Sequence, residues 1–143
     1  MQQLDFQQAV LLITETDQRY ERDAYAFVRD ALDVAMKLRK RQVGEGGHVN
    51  GQQISEAARH LALKQFGPMV PTVLEFWGIT KTEDFGEIVW NLIEVGHFGK
   101  SAKDSRADFK AVYTFKEAFV APYLPAKARR RRGPAKETSP AKS

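Results

Sequence analysis

Residues 82–96, TEDFGEIVWNLIEVG, restrict the fold more than any other stretch of this chain. Phe85, Ile88, Val89, Leu92 and Ile93 recur at i, i+3, i+4, i+7 and i+8, which puts five large apolar side chains on one stripe of an α-helix. That stripe must be buried, so the remaining chain has to supply what covers it. Thr82 and Asp84 offer side-chain oxygens to the free N–H groups of the first turn, and Glu83, Asp84 and Glu87 place negative charge at the positive end of the helix dipole. Asp84 and Glu87 have the spacing of a capping box. Gly96 stands where a left-handed C-terminal residue belongs, with Phe98 beyond it to fold back.

The sequence before this helix supplies its cover. A first helix is expected over 6–16, capped by Asp5 with Gln8 three residues on, with Leu4 as a staple and Phe6, Ala9, Val10 and Ile13 as its stripe. The polar connector DQRYERD carries Tyr20, whose ring can close the end of the core while its hydroxyl stays in water. Asp23 should cap a second helix over 24–40 with Tyr25, Val28, Ala31, Leu32, Ala35 and Met36 inward, and Lys37, Arg39, Lys40 and Arg41 at the negative end of its dipole.

The glycine-rich VGEGGHVNG loop then leads to a third helix, with Asn50 as cap, Gln53 completing the box and Val49 packing on Ile54. Its face, Ile54, Ala57, Ala58, Leu61 and Ala62, is small and implies close helix approach. Phe66, Gly67 and Pro68 end it. Pro71 opens a short helix over 72–77 that stops at Gly78, with Phe76 and Trp77 as core anchors. Farther on, Ser105 with Asp108 and Thr114 with Glu117 repeat the capping-box spacing and predict two short helices. The alternation of Phe109, Ala111, Tyr113 and Phe115 offers a strand as the competing reading. The fold class expected is all-α, a compact bundle of six or seven short helices over 1–121, followed by a disordered basic C-terminal tail over 122–143.

The net charge of +4 hides a division. Seven of the 22 lysines and arginines, and one of the 18 acids, lie from Pro122 onward, so fifteen bases face seventeen acids before it. The body is about −2 and the tail about +6. After Leu124 the tail holds no large apolar residue, so by composition it cannot offset the entropy of ordering.

Several function classes close at this level. The chain has no cysteine, which removes disulfides, thiolate catalysis and Cys-ligated zinc. No apolar run approaches the ~20 residues of a membrane span and no signal peptide opens the chain, so the expected location is the cytoplasm. His48, His60 and His97 form neither an HxxxH nor an HExxH pair, and no metal or other cofactor is expected. There is no GxSxG elbow. The acids at 83, 84 and 87 read as helix stabilisation rather than an acid–base pair. The glycine loop lacks the GxxxxGK[ST] spacing that cradles phosphate. A polybasic contact with a membrane surface finds no amphipathic or lipidation signal beside it.

DAYAFVRDALDVAMKL, HVNGQQISEAARHLALKQFGP, VLEFWGITKTEDFGEIVWNLIEVG and DSRADF together resemble an uncharacterised family of small bacterial single-domain proteins, over about residues 5–120. The resemblance implies one bacterial domain and carries no catalytic residue with it; the basic tail lies outside it.

The leading functional expectation is a non-enzymatic binding or adaptor module, with a possible protein partner for its body. Lys127, Arg129, Arg130, Arg131, Arg132 and Lys136 are its expected contacts with RNA, DNA or a ribonucleoprotein, because cations on a chain gain affinity by releasing phosphate counterions. A winged-helix DNA-binding protein is one alternative, but residues 82–96 carry four acids and offer only Asn91 to a base edge. Another is a small-molecule or nucleotide-binding enzyme subunit, its pocket built from the 44–51 loop, Tyr20, Arg29 and Trp77. A homo-oligomeric structural protein is the third.

Overall fold

The structure is a computed structural model and describes residues 5–44, 49–96 and 106–125. Within these, the chain forms α1 (Phe6–Thr16), α2 (Arg22–Val43), α3 (Gly51–Phe66), α4 (Val70–Trp77) and α5 (Thr82–Glu94), joined or followed by short turns of tighter or wider helix. The fold is all-α. No strand occurs among the described residues. The alternating stretch around Phe109 instead forms a 3-10 turn at Arg106–Phe109, and then one turn of π-helix at Lys116–Val120. Ala111, at φ 49°, reverses the chain between them where a strand would have continued. The Thr114 hydroxyl accepts from the Glu117 N–H at 3.1 Å, one bond of the expected box, while Phe115 is the cap residue of the π turn. The Ser105 box lies outside the described residues, as do Leu4, Phe98 and the tail beyond 125.

Two helix starts are set locally. Asp5 accepts from the Gln8 N–H and Asn50 from the Gln53 N–H, both at 2.8 Å, and each glutamine returns a bond to its cap. Val49 and Ile54 are both buried in the core. The start of α2 is set differently. Asp23 does not cap it; the helix begins at Arg22 behind Glu21, whose N–H donates to the Trp77 carbonyl at 3.1 Å. A tertiary bond to the end of α4 therefore fixes this boundary. The far end runs to Val43 rather than Lys40, and none of residues 36–42 is buried. Met36, expected inward, is 45% exposed because α2 there has run past the helices it packs on.

α5 keeps its expected role. Phe85, Ile88, Val89 and Leu92 are buried, Ile93 is partly so, and Gly96 takes the left-handed conformation at φ 86°. Its N-terminus differs from expectation. Lys81 is the cap residue, so Asp84 occupies the third helical position and forms no box with Glu87. The Asp84 carboxylate instead reaches back to the N–H groups of Thr80 (2.8 Å) and Lys81 (3.3 Å). Thr82 caps nothing. Its hydroxyl donates to the Phe109 carbonyl at 2.7 Å and accepts from the Val112 N–H at 3.2 Å, tying the C-terminal segment to α5.

Phe109 is the wedge between α3 and α5, and two glycines make its socket. A Cβ built at Gly51 or at Gly86 would lie 2.7 Å from the Phe109 ring, inside van der Waals contact. Tyr113, Phe115 and Phe119 continue this seam, with centroid separations of 5.2–6.2 Å. On the other side of the core, Phe27, Phe66 and Trp77 form a second aromatic cluster at 5.5–6.3 Å. Trp77 is thus an anchor as expected, but Phe76 is not. It is 73% exposed, since α4 is a single short helix lying against the body on its Val70 and Leu74 side.

Candidate functional site

Polar chemistry in the body concentrates where the 17–21 connector crosses α5. Asp17 pairs with Arg19 at 2.7 Å and accepts from Asn91 Nδ2 at 3.0 Å. Asn91 also donates to the Tyr25 hydroxyl at 3.1 Å. Arg19 extends to Glu87 at 3.4 Å, and Glu87 also pairs with Arg106 at 3.1 Å, whose guanidinium lies 5.0 Å from the Trp90 ring centroid. Beneath this layer, the Tyr20 hydroxyl is buried and donates to Asp84 at 2.5 Å. The expectation that it stays in water fails because the connector is drawn down onto Gly78, where a Cβ would meet the Arg19 carbonyl at 2.2 Å.

Asp17 and Arg19 hold each other in their charged forms. The Arg19 guanidinium, helped by Asn91, holds the Asp17 carboxyl well below the usual carboxylate range. Burial, then the bond to Asp84, pushes the Tyr20 phenol well above the usual tyrosine value; burial raises Tyr25 too. A general base needs a proton affinity raised toward neutrality, and Asp17 is shifted the opposite way. The cluster suits fastening the connector to α5. Asn91, the one residue of that helix suited to a base edge, is spent on Asp17 and Tyr25.

The residues expected to form a nucleotide pocket do not converge. Tyr20 points to Asp84. Trp77 packs on Phe27, and Arg29, two positions on and so about 200° around α2, faces Phe6 with its guanidinium 4.3 Å from the ring centroid. Residues 45–48 of the loop lie outside the described residues. Arg29 does line an open groove of about 630 Å³ between the N-terminal ends of α1 and α2. Its floor is Phe6, Val10 and Ala26, and Arg22 and Arg29 are balanced there by Asp5 and Asp23, so it favours neither charge sign.

Among the described residues no group of three or more His, Asp or Glu could hold a metal ion, and no helix is long and apolar enough to cross a membrane. His60 is exposed on α3, while His48 and His97 lie outside the described residues. Lys127, Arg129, Arg130, Arg131, Arg132 and Lys136 are likewise outside them.

One surface that sequence reasoning misassigned is the outer side of α4. Phe76 (73% exposed) stands on this helix, and Met69 (55%) on the turn just before it. Tyr123, 48% exposed, sits next to the turn that leads into α4, its hydroxyl 3.8 Å from where a Gly67 Cβ would stand. The signal available in the sequence was the pair of adjacent large rings at 76 and 77, since consecutive helix positions point about 100° apart and one short helix seldom buries both. No family model, curated protein or solved structure matches the chain.

Proposed function

We propose that this chain is a non-enzymatic binding module whose all-α body carries a basic C-terminal segment, residues 122–143, that contacts RNA, DNA or a ribonucleoprotein. The observation that carries the reading is the separation of charge: a body near −2 joined to a segment near +6 with four consecutive arginines. An acidic body does not itself hold a polyanion, while a dense cation run does, through counterion release. The way the body uses its polar groups is consistent with this. Asp84, Tyr20, Asp17, Arg19, Glu87 and Asn91 are committed to one another, as expected of groups that hold a fold.

The test is fluorescence anisotropy with labelled single- and double-stranded oligonucleotides, comparing the full chain with one ending at residue 126. Five cations in 127–132 predict that log K falls against log salt with a slope of about −3.5 on a single strand and about −4.5 on a duplex. Binding unchanged by the truncation would refute the reading.

A further inference from the structure

We propose that Asn50 and Gly51, at the start of α3, form a site of spontaneous covalent modification: an intramolecular deamidation that the α3 capping box holds in check. The site is independent of the binding function proposed above. An asparagine followed by glycine is the most labile of side-chain amides, because a residue without Cβ leaves its backbone nitrogen open to the preceding carboxamide. Of the two asparagines in the chain, only Asn50 precedes a glycine; Asn91 precedes Leu92. Packing explains why the pair stands here. Position 51 takes no side chain, since a Cβ would lie 2.7 Å from the Phe109 ring and 2.8 Å from Asp108 Cβ. Position 50 must offer an oxygen to the Gln53 N–H, which Asn50 Oδ1 does at 2.8 Å. The socket fixes the glycine, and the cap restricts position 50 to a few residue types, of which asparagine is the one that can lose ammonia.

The reaction needs only water. The Gly51 N–H gives up its proton, its nitrogen bonds to Asn50 Cγ, and the Cγ–Nδ2 bond breaks, Nδ2 leaving with that proton as ammonia. Water then opens the five-membered imide at Cγ, giving aspartate, or at the main-chain carbonyl, giving isoaspartate. Asn50 is exposed to that water, and the positive end of the α3 dipole favours a nitrogen anion at Gly51. Geometry opposes ring closure. At ψ 176° the Asn50 Cβ is staggered against the Gly51 nitrogen, whereas the ring requires the two nearly eclipsed. The carboxamide oxygen is pinned by the Gln53 N–H, and Gln53 Oε1 accepts from the Asn50 N–H at 2.8 Å. Closure therefore waits for the first turn of α3 to open. The two products then differ. Aspartate is an equally good cap and adds a charge that the dipole favours. Isoaspartate lengthens the main chain by one methylene directly before Gly51, and so moves Gly51 out of register with the ring it admits.

The experiment incubates the full chain in mildly alkaline buffer, folded and in urea. The tryptic peptide spanning 42–59 is followed by mass spectrometry, with fragmentation locating the amide-to-acid change at Asn50. The folded chain should react at least about ten-fold more slowly than the unfolded one. Gln53→Ala should raise the folded rate about five-fold, the population change that goes with one lost cap bond. Gln53→Glu, which keeps the box, should stay near the native rate, and thermal melts check that both variants are folded. Asn50→Asp should melt within about 2 °C of the native chain. No conversion of Asn50 in urea overturns the site itself. Equal rates in the folded and unfolded chain, or a folded Gln53→Ala variant that reacts no faster than the native chain, overturns the control by the capping box.

Discussion

Gly86→Ala is the substitution on which the packing account makes its sharpest claim. In the middle of an exposed helix the change would stabilise by about 1 kcal/mol through helix propensity. Here the new Cβ would stand 2.7 Å from Phe109 Cδ2 and 2.9 Å from Cγ, and the ring has no retreat. Gly51 of α3 approaches the same Cδ2 at the same distance, and the Phe109 carbonyl is tied to Thr82. Overpacking of this kind costs about 1–3 kcal/mol, and a ring approached this closely from two helices belongs at the upper end. The net expectation is a loss of about 2 kcal/mol, or a fall in Tm on the order of 6–10 °C for a body of this size. Urea denaturation read by tryptophan fluorescence measures it, in a cycle with Phe109→Ala. That second change alone should cost about 3–5 kcal/mol. With the ring gone, Gly86→Ala should turn neutral or stabilising, giving a coupling of about 2–3 kcal/mol. A destabilisation of the same size in both backgrounds, or a stabilised single variant, would refute the socket.

Three further outcomes follow from the polar contacts and the backbone. Burial holds the Tyr20 and Tyr113 phenols protonated in the folded state. Their contribution is therefore complete below the unfolded value near pH ~10 and drains away as pH rises beyond it, so Tyr113→Phe should lower stability at pH 7, through the lost 2.7 Å bond to the Ser55 carbonyl, and flatten the alkaline limb of the stability profile followed by circular dichroism. Asp17 has the opposite sign: its folded value is depressed, so its contribution is present above the unfolded value near pH ~4 and lost as pH falls below it. Asp17→Asn should lower stability at pH 7 and flatten the acid limb of the stability profile. Gly78→Ala, at φ 89° and against the Arg19 carbonyl, should cost about 3 kcal/mol or more and loosen the 17–21 connector, seen as faster amide exchange of Glu21.

Features carried by neighbours in sequence were legible before the structure. The Asp5 and Asn50 capping boxes close over three residues, and the α5 stripe is a matter of helical period, so local chemistry determines both. What escaped was set by distant partners. Tyr20 and Asp84 meet across 64 positions and Thr82 and Phe109 across 27, and no local pattern in either pair announces the other. Asp23 has every local credential of a cap, yet a backbone bond from Glu21 to Trp77 starts α2 earlier. Gly51 closes the glycine-rich stretch of the sequence and Gly86 lies inside the 82–96 stripe, and nothing local to either shows that together they admit one phenylalanine ring. Phe76 and Trp77 are equally apolar on paper, and only the position of α2 and α3 beside α4 decides which is buried. The charge division was legible from the sequence, the arginine run being plain, whereas the exposure of Phe76 needed the fold.

The central claim is that attachment to nucleic acid resides in the cations after residue 126 and folding in what precedes them. Salt-dependent anisotropy and thermal melting of the full chain and of the chain ending at residue 126, run side by side, test it most directly. The account predicts the same Tm for both within about 2 °C, with nucleic-acid affinity and its steep salt slope confined to the full chain. A shorter chain that still binds with that slope, or that melts well below the full one, would contradict it.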